Sequence, residues 1–137
     1  MKTFPRFLLA ISALLLAVGA LMHASAFNKI SSAVASSNLQ SFAANSLKVL
    51  WLADSTTSLL LAAVFGLIAA RPSAATRWVI VLLALIPAAT AGLIYTFMGS
   101  FIGGHIMLAA AITAFIGGLQ YPKASSPSDS GFPIGRT

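Results

Sequence analysis

Residues 47–70 read LKVLWLADSTTSLLLAAVFGLIAA, an apolar run that ends at Arg71-Pro72. A helix needs about 20 mostly apolar residues to cross a bilayer, and this run is long enough. Because lipid offers no water to the backbone, a helix is favoured there, since it satisfies its N–H and C=O groups internally. The stretch therefore predicts a transmembrane helix, around which the rest of the chain can be interpreted.

Three further apolar runs have the same character. The four predicted helices cover about residues 7–26, 47–70, 78–98 and 101–119. The sequence thus predicts an all-α integral membrane bundle of four transmembrane helices with up-down topology over residues 1–120. A Ser-, Pro- and Gly-rich tail over residues 121–137 is predicted to be disordered.

Composition excludes several classes of protein. Hydrophobic residues make up 58% of the chain and charged residues only 7%, whereas soluble domains carry about a quarter charged residues. The chain has no cysteine, and its only acids are Asp54 and Asp129, so disulfides, thiolate metal sites and paired-carboxylate catalysis within one chain are excluded. The net charge of +6 forms no continuous stripe of the kind that nucleic-acid binding requires. The expected partner is the lipid bilayer.

The basic residues predict the orientation in the membrane. Cytoplasmic ends of membrane helices carry the excess of Lys and Arg. One side would carry Lys2, Arg6, Arg71, Arg77, Lys123 and Arg136, and the other only Lys29 and Lys48. We therefore expect both termini in the cytoplasm, and a bacterial inner membrane as the location.

Two segments leave alternatives open. Residues 1–26 form either a retained helix or a cleaved signal peptide, because a basic start, an apolar stretch and Ala24-Ser25-Ala26 fit a cleavage pattern. Residues 27–46, the predicted outer loop, form either a short interfacial helix or a solvated loop. The spacing of Ile30 and Val34 favours the helix, and the Ser and Asn content favours the loop.

The predicted topology gathers polar residues from all four helices toward the outer face. His23 ends the first helix, and Tyr95 and His105 flank the turn between the third and fourth. The second helix begins with several more. This candidate polar cluster consists of His23, Lys48, Trp51, Asp54, Thr57, Ser58, Tyr95 and His105.

Asp54 is the most informative member of the cluster. A carboxylate inside a membrane segment is costly and is usually paired or faces water. Thr57 and Ser58 follow three and four residues later, so they share its helix face. The functional interpretation is a proton relay, a ligand site or an ion site. The structural one is an Asp stabilised by the N-terminal end of a helix.

The two histidines raise the question of a cofactor. If the terminal helices are neighbours, His23 and His105 could ligate a haem, or a metal together with Asp54. No paired metal-binding spacing supports this, so no cofactor is predicted. No nucleophile elbow surrounds any serine either, so an enzyme is not expected.

Three functional hypotheses follow. The leading one is a non-catalytic accessory or interaction subunit, bound to a membrane-protein partner or to its own copies. The second is a small proton-coupled transporter that uses Asp54. In size and helix number the chain resembles four-helix exporters of the small multidrug resistance type, which work as dimers around a membrane carboxylate. It differs from them because its first helix has no acid. The third is a haem- or metal-binding membrane protein.

Overall fold

The computed structural model describes residues 3–122, and within this range the chain consists of helices joined by short turns. The elements are α1 (Thr3–Ser25), α2 (Phe27–Ala35), α3 (Ser41–Ala70), a 3-10 turn (Pro72–Ala74), α4 (Arg77–Met98) and α5 (Ile102–Leu119). Four helices are long and apolar enough to cross a membrane: Thr3–Ala35, Ser41–Ala70, Arg77–Met98 and Ile102–Leu119. The predicted all-helical chain with four candidate membrane spans is confirmed.

The segment between the first two spans is more helical than a loop. It contains α2, which packs against α3, and α3 itself begins at Ser41 rather than near residue 47. With 30 residues, α3 is about 45 Å long, which exceeds the roughly 30 Å apolar thickness of a bilayer. The predicted disordered tail lies outside the described residues from residue 123 onward.

The packing order of the long helices differs from their order in the chain. Helix α1 packs against both α3 and α5, and α4 packs against α5, whereas α3 and α4 approach each other at only a few positions. The spatial order is therefore α3, α1, α5, α4. Helices α1 and α3 are antiparallel, because Arg6 bonds to Ala69 while His23 bonds to Ser55.

Two adjacent glycines let α5 sit between its neighbours. A Cβ atom on Gly117 would lie 3.3 Å from Leu9 of α1, and one on Gly118 would lie 3.0 Å from Ile80 of α4. Fully buried Ser12 on α1 donates a hydrogen bond to the Ala110 carbonyl of α5 at 2.9 Å. Small residues thus permit close backbone approach, which is how helices associate in lipid.

The C-terminal end of α3 is held by two side chains from elsewhere. Arg6 donates from Nε to the Ala69 carbonyl at 2.7 Å and from Nη2 to the Ala70 carbonyl at 3.3 Å. The hydroxyl of Tyr121 donates to the Pro72 carbonyl at 2.9 Å. Burial raises the pKa of Tyr121, with an opposing effect from nearby Arg6, so the phenol remains a donor. The two Arg6 bonds satisfy carbonyls that the end of a helix leaves unpaired, and the Tyr121 bond holds the 3-10 turn that follows α3.

Candidate functional site

A cavity of about 280 Å³ lies between the long helices, at the end of the bundle where α1 finishes and α4 turns into α5. Residues of all four long helices, α1, α3, α4 and α5, line it. Of these helices, α3 and α4 approach each other at only a few positions. The polar residues that line it are His23, Trp51, Asp54, Ser58 and Thr90. The remaining lining is apolar and includes Leu93, Ile94, Phe101, Ile106 and Met107. The cavity is therefore an apolar site with a polar wall on α1 and α3.

Trp51 fixes the position of His23. Its indole stacks on the imidazole, with ring centroids 3.8 Å apart and planes 13° from parallel. Its Nε1 donates to the His23 carbonyl at 2.9 Å. That carbonyl lies in the last turn of α1 and also accepts a hydrogen bond from the Ala26 backbone N–H at 3.2 Å. The pair joins the end of α1 to the first half of α3.

The imidazole of His23 also meets two polar side chains of α3. Its Nδ1 and the Ser55 Oγ lie 2.8 Å apart in a hydrogen bond, and the Asp54 Oδ2 lies 3.8 Å from the same nitrogen. The longer distance exceeds that of a hydrogen bond. No donor among residues 3–122 makes a hydrogen bond to this carboxylate. The Asp54 side chain is 42% exposed and lines the cavity.

The geometry around His23 does not match a catalytic triad. In a triad the serine and the carboxylate engage opposite nitrogens of the imidazole, so that the proton passes across the ring. Here Ser55 and Asp54 both approach Nδ1. The arrangement can hold charge and exchange protons, but it does not prepare a nucleophile.

His105 belongs to a separate group at the α4–α5 turn. The Tyr95 hydroxyl lies 2.7 Å from its Nδ1, and the Ser100 Oγ lies 3.3 Å from its Nε2. Gly104 lets the Tyr95 ring come close, since a Cβ there would lie 3.2 Å from it. Both ring nitrogens are therefore engaged locally, and His105 does not line the cavity.

The structure divides the predicted polar cluster into parts. His23, Trp51, Asp54 and Ser58 meet at the cavity, whereas Tyr95 and His105 form the second group. Lys48 and exposed Thr57 line neither. Among described residues 3–122, no three His, Cys, Asp or Glu side chains lie together in a metal-binding arrangement. The haem and metal hypotheses stay predictions from the sequence.

Ser55, the partner of His23, was missing from the predicted cluster. The signal that points to it is helical spacing, because Ser55, Ser58, Ala62 and Phe65 are buried along one face of α3. The predicted cluster contains Thr57 because that residue shares a helix face with Asp54.

No protein-family model, curated protein or solved structure matches this chain. What the protein does has to be inferred from the cavity and its side chains.

Proposed function

We propose that this chain is a small, non-catalytic binding protein of the membrane, an accessory or interaction subunit that takes up a membrane-dissolved apolar molecule in its cavity. One observation carries the proposal: a partly exposed carboxylate, that of Asp54, lies on the wall of an apolar cavity inside candidate membrane spans. A carboxylate at such a position needs a partner. A stoichiometric membrane protein retained in mild detergent would be the sign of the accessory role.

Size, lining and access all suit an apolar ligand. Small-molecule sites are mostly apolar, have a few placed polar groups, and begin at about 300 Å³. This cavity, at about 280 Å³, lies just below the lower end of that range. Since α3 and α4 meet at only a few positions, a molecule dissolved in the bilayer can enter between them.

We expect a cavity-filling substitution, Thr90→Phe, to abolish binding. Trp51 lines the cavity, and in a Trp78→Phe background it is the single tryptophan, so all indole fluorescence comes from beside the cavity. The test ligand is ω-bromoundecanol, because bromine quenches indole only at short range. In lipid nanodiscs it should quench Trp51, and the added phenyl ring of Thr90→Phe should remove most of that quenching.

Thr96→Phe is the matched control. Both threonines lie on α4 and donate to the carbonyl four residues earlier, Thr90 to Ile86 and Thr96 to Gly92. Thr96 is exposed and does not line the cavity, so its substitution should leave quenching unchanged. Equal quenching in both variants, or none in the parent protein, would overturn the binding proposal.

The membrane placement is part of the same proposal. An orientation with both termini in the cytoplasm and up-down spans is supported by the six basic residues on one side against two on the other, and the short hairpin-like plan supports a bacterial inner membrane. The cavity then lies in the outer leaflet.

The cysteine-free chain permits a direct test of this orientation. Ser37 lies before the first residue of α3 and Ser73 lies after its last residue, and both are exposed. An impermeant maleimide should label Ser37→Cys in intact cells, and Ser73→Cys only after lysis; the reverse pattern would invert the topology.

A second candidate function is proton-coupled transport. The observation that favours it is the 3.8 Å distance between the His23 Nδ1 and the Asp54 Oδ2 on the cavity wall. A carboxylate that binds either a proton or a cation, beside an imidazole that can receive the proton, is the minimal apparatus for exchange. The test is proton-driven uptake into vesicles, compared between the parent protein and Asp54→Asn.

A further inference from the structure

We propose that the molecule bound in the cavity is a single-chain amphiphile with a protonated primary amine, and that the amine binds to Asp54. This inference rests on the proposed binding function and specifies its ligand. It follows from three properties of the cavity: its charge, the hydrogen bonds its polar groups already make, and its position along the helices.

The charge of the cavity selects a cation. Asp54 is the only acid among the described residues 3–122, and no Lys or Arg lines the cavity. An anionic head group would meet a carboxylate with no compensating positive charge, which is unfavourable in an apolar environment. A cationic head group would instead be attracted to the carboxylate. Trp51 and Phe101 also line the cavity, and aromatic rings attract cations at their faces.

The hydrogen bonds around the cavity select a donor. The His23 Nδ1 is bonded to Ser55, the Trp51 Nε1 to the His23 carbonyl, and the Thr90 hydroxyl to the Ile86 carbonyl. The Asp54 carboxylate accepts no such bond from residues 3–122. The carboxylate oxygens therefore remain available as acceptors for a ligand, beside the Ser58 hydroxyl, which also lines the cavity. A primary ammonium supplies three N–H donors and a full charge, and bonds between charged groups are the strong ones.

The position of Asp54 selects an amphiphile rather than a compact amine. Asp54 lies sixteen residues before the end of α3 at Ala70, which is about 24 Å along the helix. In an apolar core about 30 Å thick, a carboxylate at that distance lies just inside one surface. An amine held there would extend its alkyl chain along the apolar walls formed by Leu93 and Ile106, through the gap between α3 and α4.

The experiment compares 2-bromo-4-nonylbenzylamine with 2-bromo-4-nonylbenzyl alcohol, which share the chain and the bromine but differ in charge. Their bromine lies beside the head group, because Trp51 is one helical turn from Asp54 and bromine quenches indole only at short range. Both are titrated into nanodiscs that hold a single-tryptophan protein. The Trp78→Phe protein reports the cavity through Trp51. The Trp51→Phe protein reports the surrounding lipid through Trp78, which is 60% exposed and lies on the opposite end of the bundle. The ratio of Trp51 quenching to Trp78 quenching corrects for how much of each compound enters the membrane.

We expect the amine to quench Trp51 at about one tenth of the alcohol concentration, because a charge-assisted bond to a carboxylate contributes about that factor. Asp54→Asn should reduce the quenching of Trp51 by the amine to the level that the alcohol produces. Quenching by the alcohol should persist in Asp54→Asn and serves as proof that the cavity remains folded. The same substitution at Asp129, the other acid of the chain, controls for net charge and should keep the preference for the amine.

The outcomes separate this inference from the proposed function. If amine and alcohol quench Trp51 equally, the cavity binds apolar molecules but the amine is not its ligand class. If the preference for the amine survives Asp54→Asn, Asp54 is not the anchor and the inference is wrong. If neither compound quenches Trp51 more than Trp78, the inference and the binding function both fail.

Discussion

Replacing Gly118 by leucine is expected to cost the four-helix unit about 3 kcal/mol of unfolding free energy, at the upper end of what overpacking a core typically costs. Gly118 is buried on α5 against α4, where an added Cβ would lie 3.0 Å from the Ile80 Cγ2 and 3.1 Å from the Val81 Cγ2. Ile80 is itself fully buried. Because neither side of the contact can retreat, a branched side chain must push α4 away from α5.

The measurement is unfolding by sodium dodecyl sulfate in mixed micelles, followed by far-UV circular dichroism. Gly92→Leu is the matched control, since Gly92 is also inside a helix and is exposed, and a Cβ added there would have no neighbouring atom within 4 Å. The change from glycine to leucine gains up to about 1 kcal/mol of helix propensity in both variants, so Gly92→Leu should be no less stable than the parent protein. Equal stability of the two variants would contradict the close α4–α5 packing.

Asp54→Asn is expected to reduce proton-driven uptake to the level of protein-free vesicles, if the cavity exchanges its ligand for a proton. Asparagine keeps the shape of the side chain but binds neither a proton nor a cation by charge, so both halves of the exchange are lost. The substrate is undecylguanidinium, because its head group keeps N–H donors for the carboxylate and stays charged, so it does not cross lipid as a neutral base. Uptake is followed into vesicles with an acidic interior.

Thr56→Val is the control for this experiment. Thr56 lies two residues from Asp54, is exposed, and bonds only to the Leu52 carbonyl of its own helix, so uptake should be unchanged. Uptake that survives Asp54→Asn would remove Asp54 from the transport step. A parent protein that binds the ligand at Trp51 but shows no uptake would restrict the function to binding.

Local sequence was sufficient to predict the four candidate membrane spans. Each span depends on the length of an apolar run, and backbone hydrogen bonds in lipid leave a helix as the favoured result. The position of Asp54 inside the second run was equally visible, as were His23 and Trp51 near the same end. These properties belong to single segments of the chain, so no knowledge of neighbours was needed.

The neighbours themselves were decided only by the tertiary structure. Which helices touch depends on where small residues on one helix meet bulk on another, as Gly117 meets Leu9 and Gly118 meets Ile80, and short-range sequence patterns do not encode that complementarity. The same packing separates His105 from His23 and leaves α3 and α4 apart, which creates the cavity. The sequence by itself determined that a carboxylate would lie within a membrane segment. Only the packing of α1 and α5 between α3 and α4 decided that this carboxylate would line an apolar cavity, because a cavity is a property of the space that several helices leave unfilled.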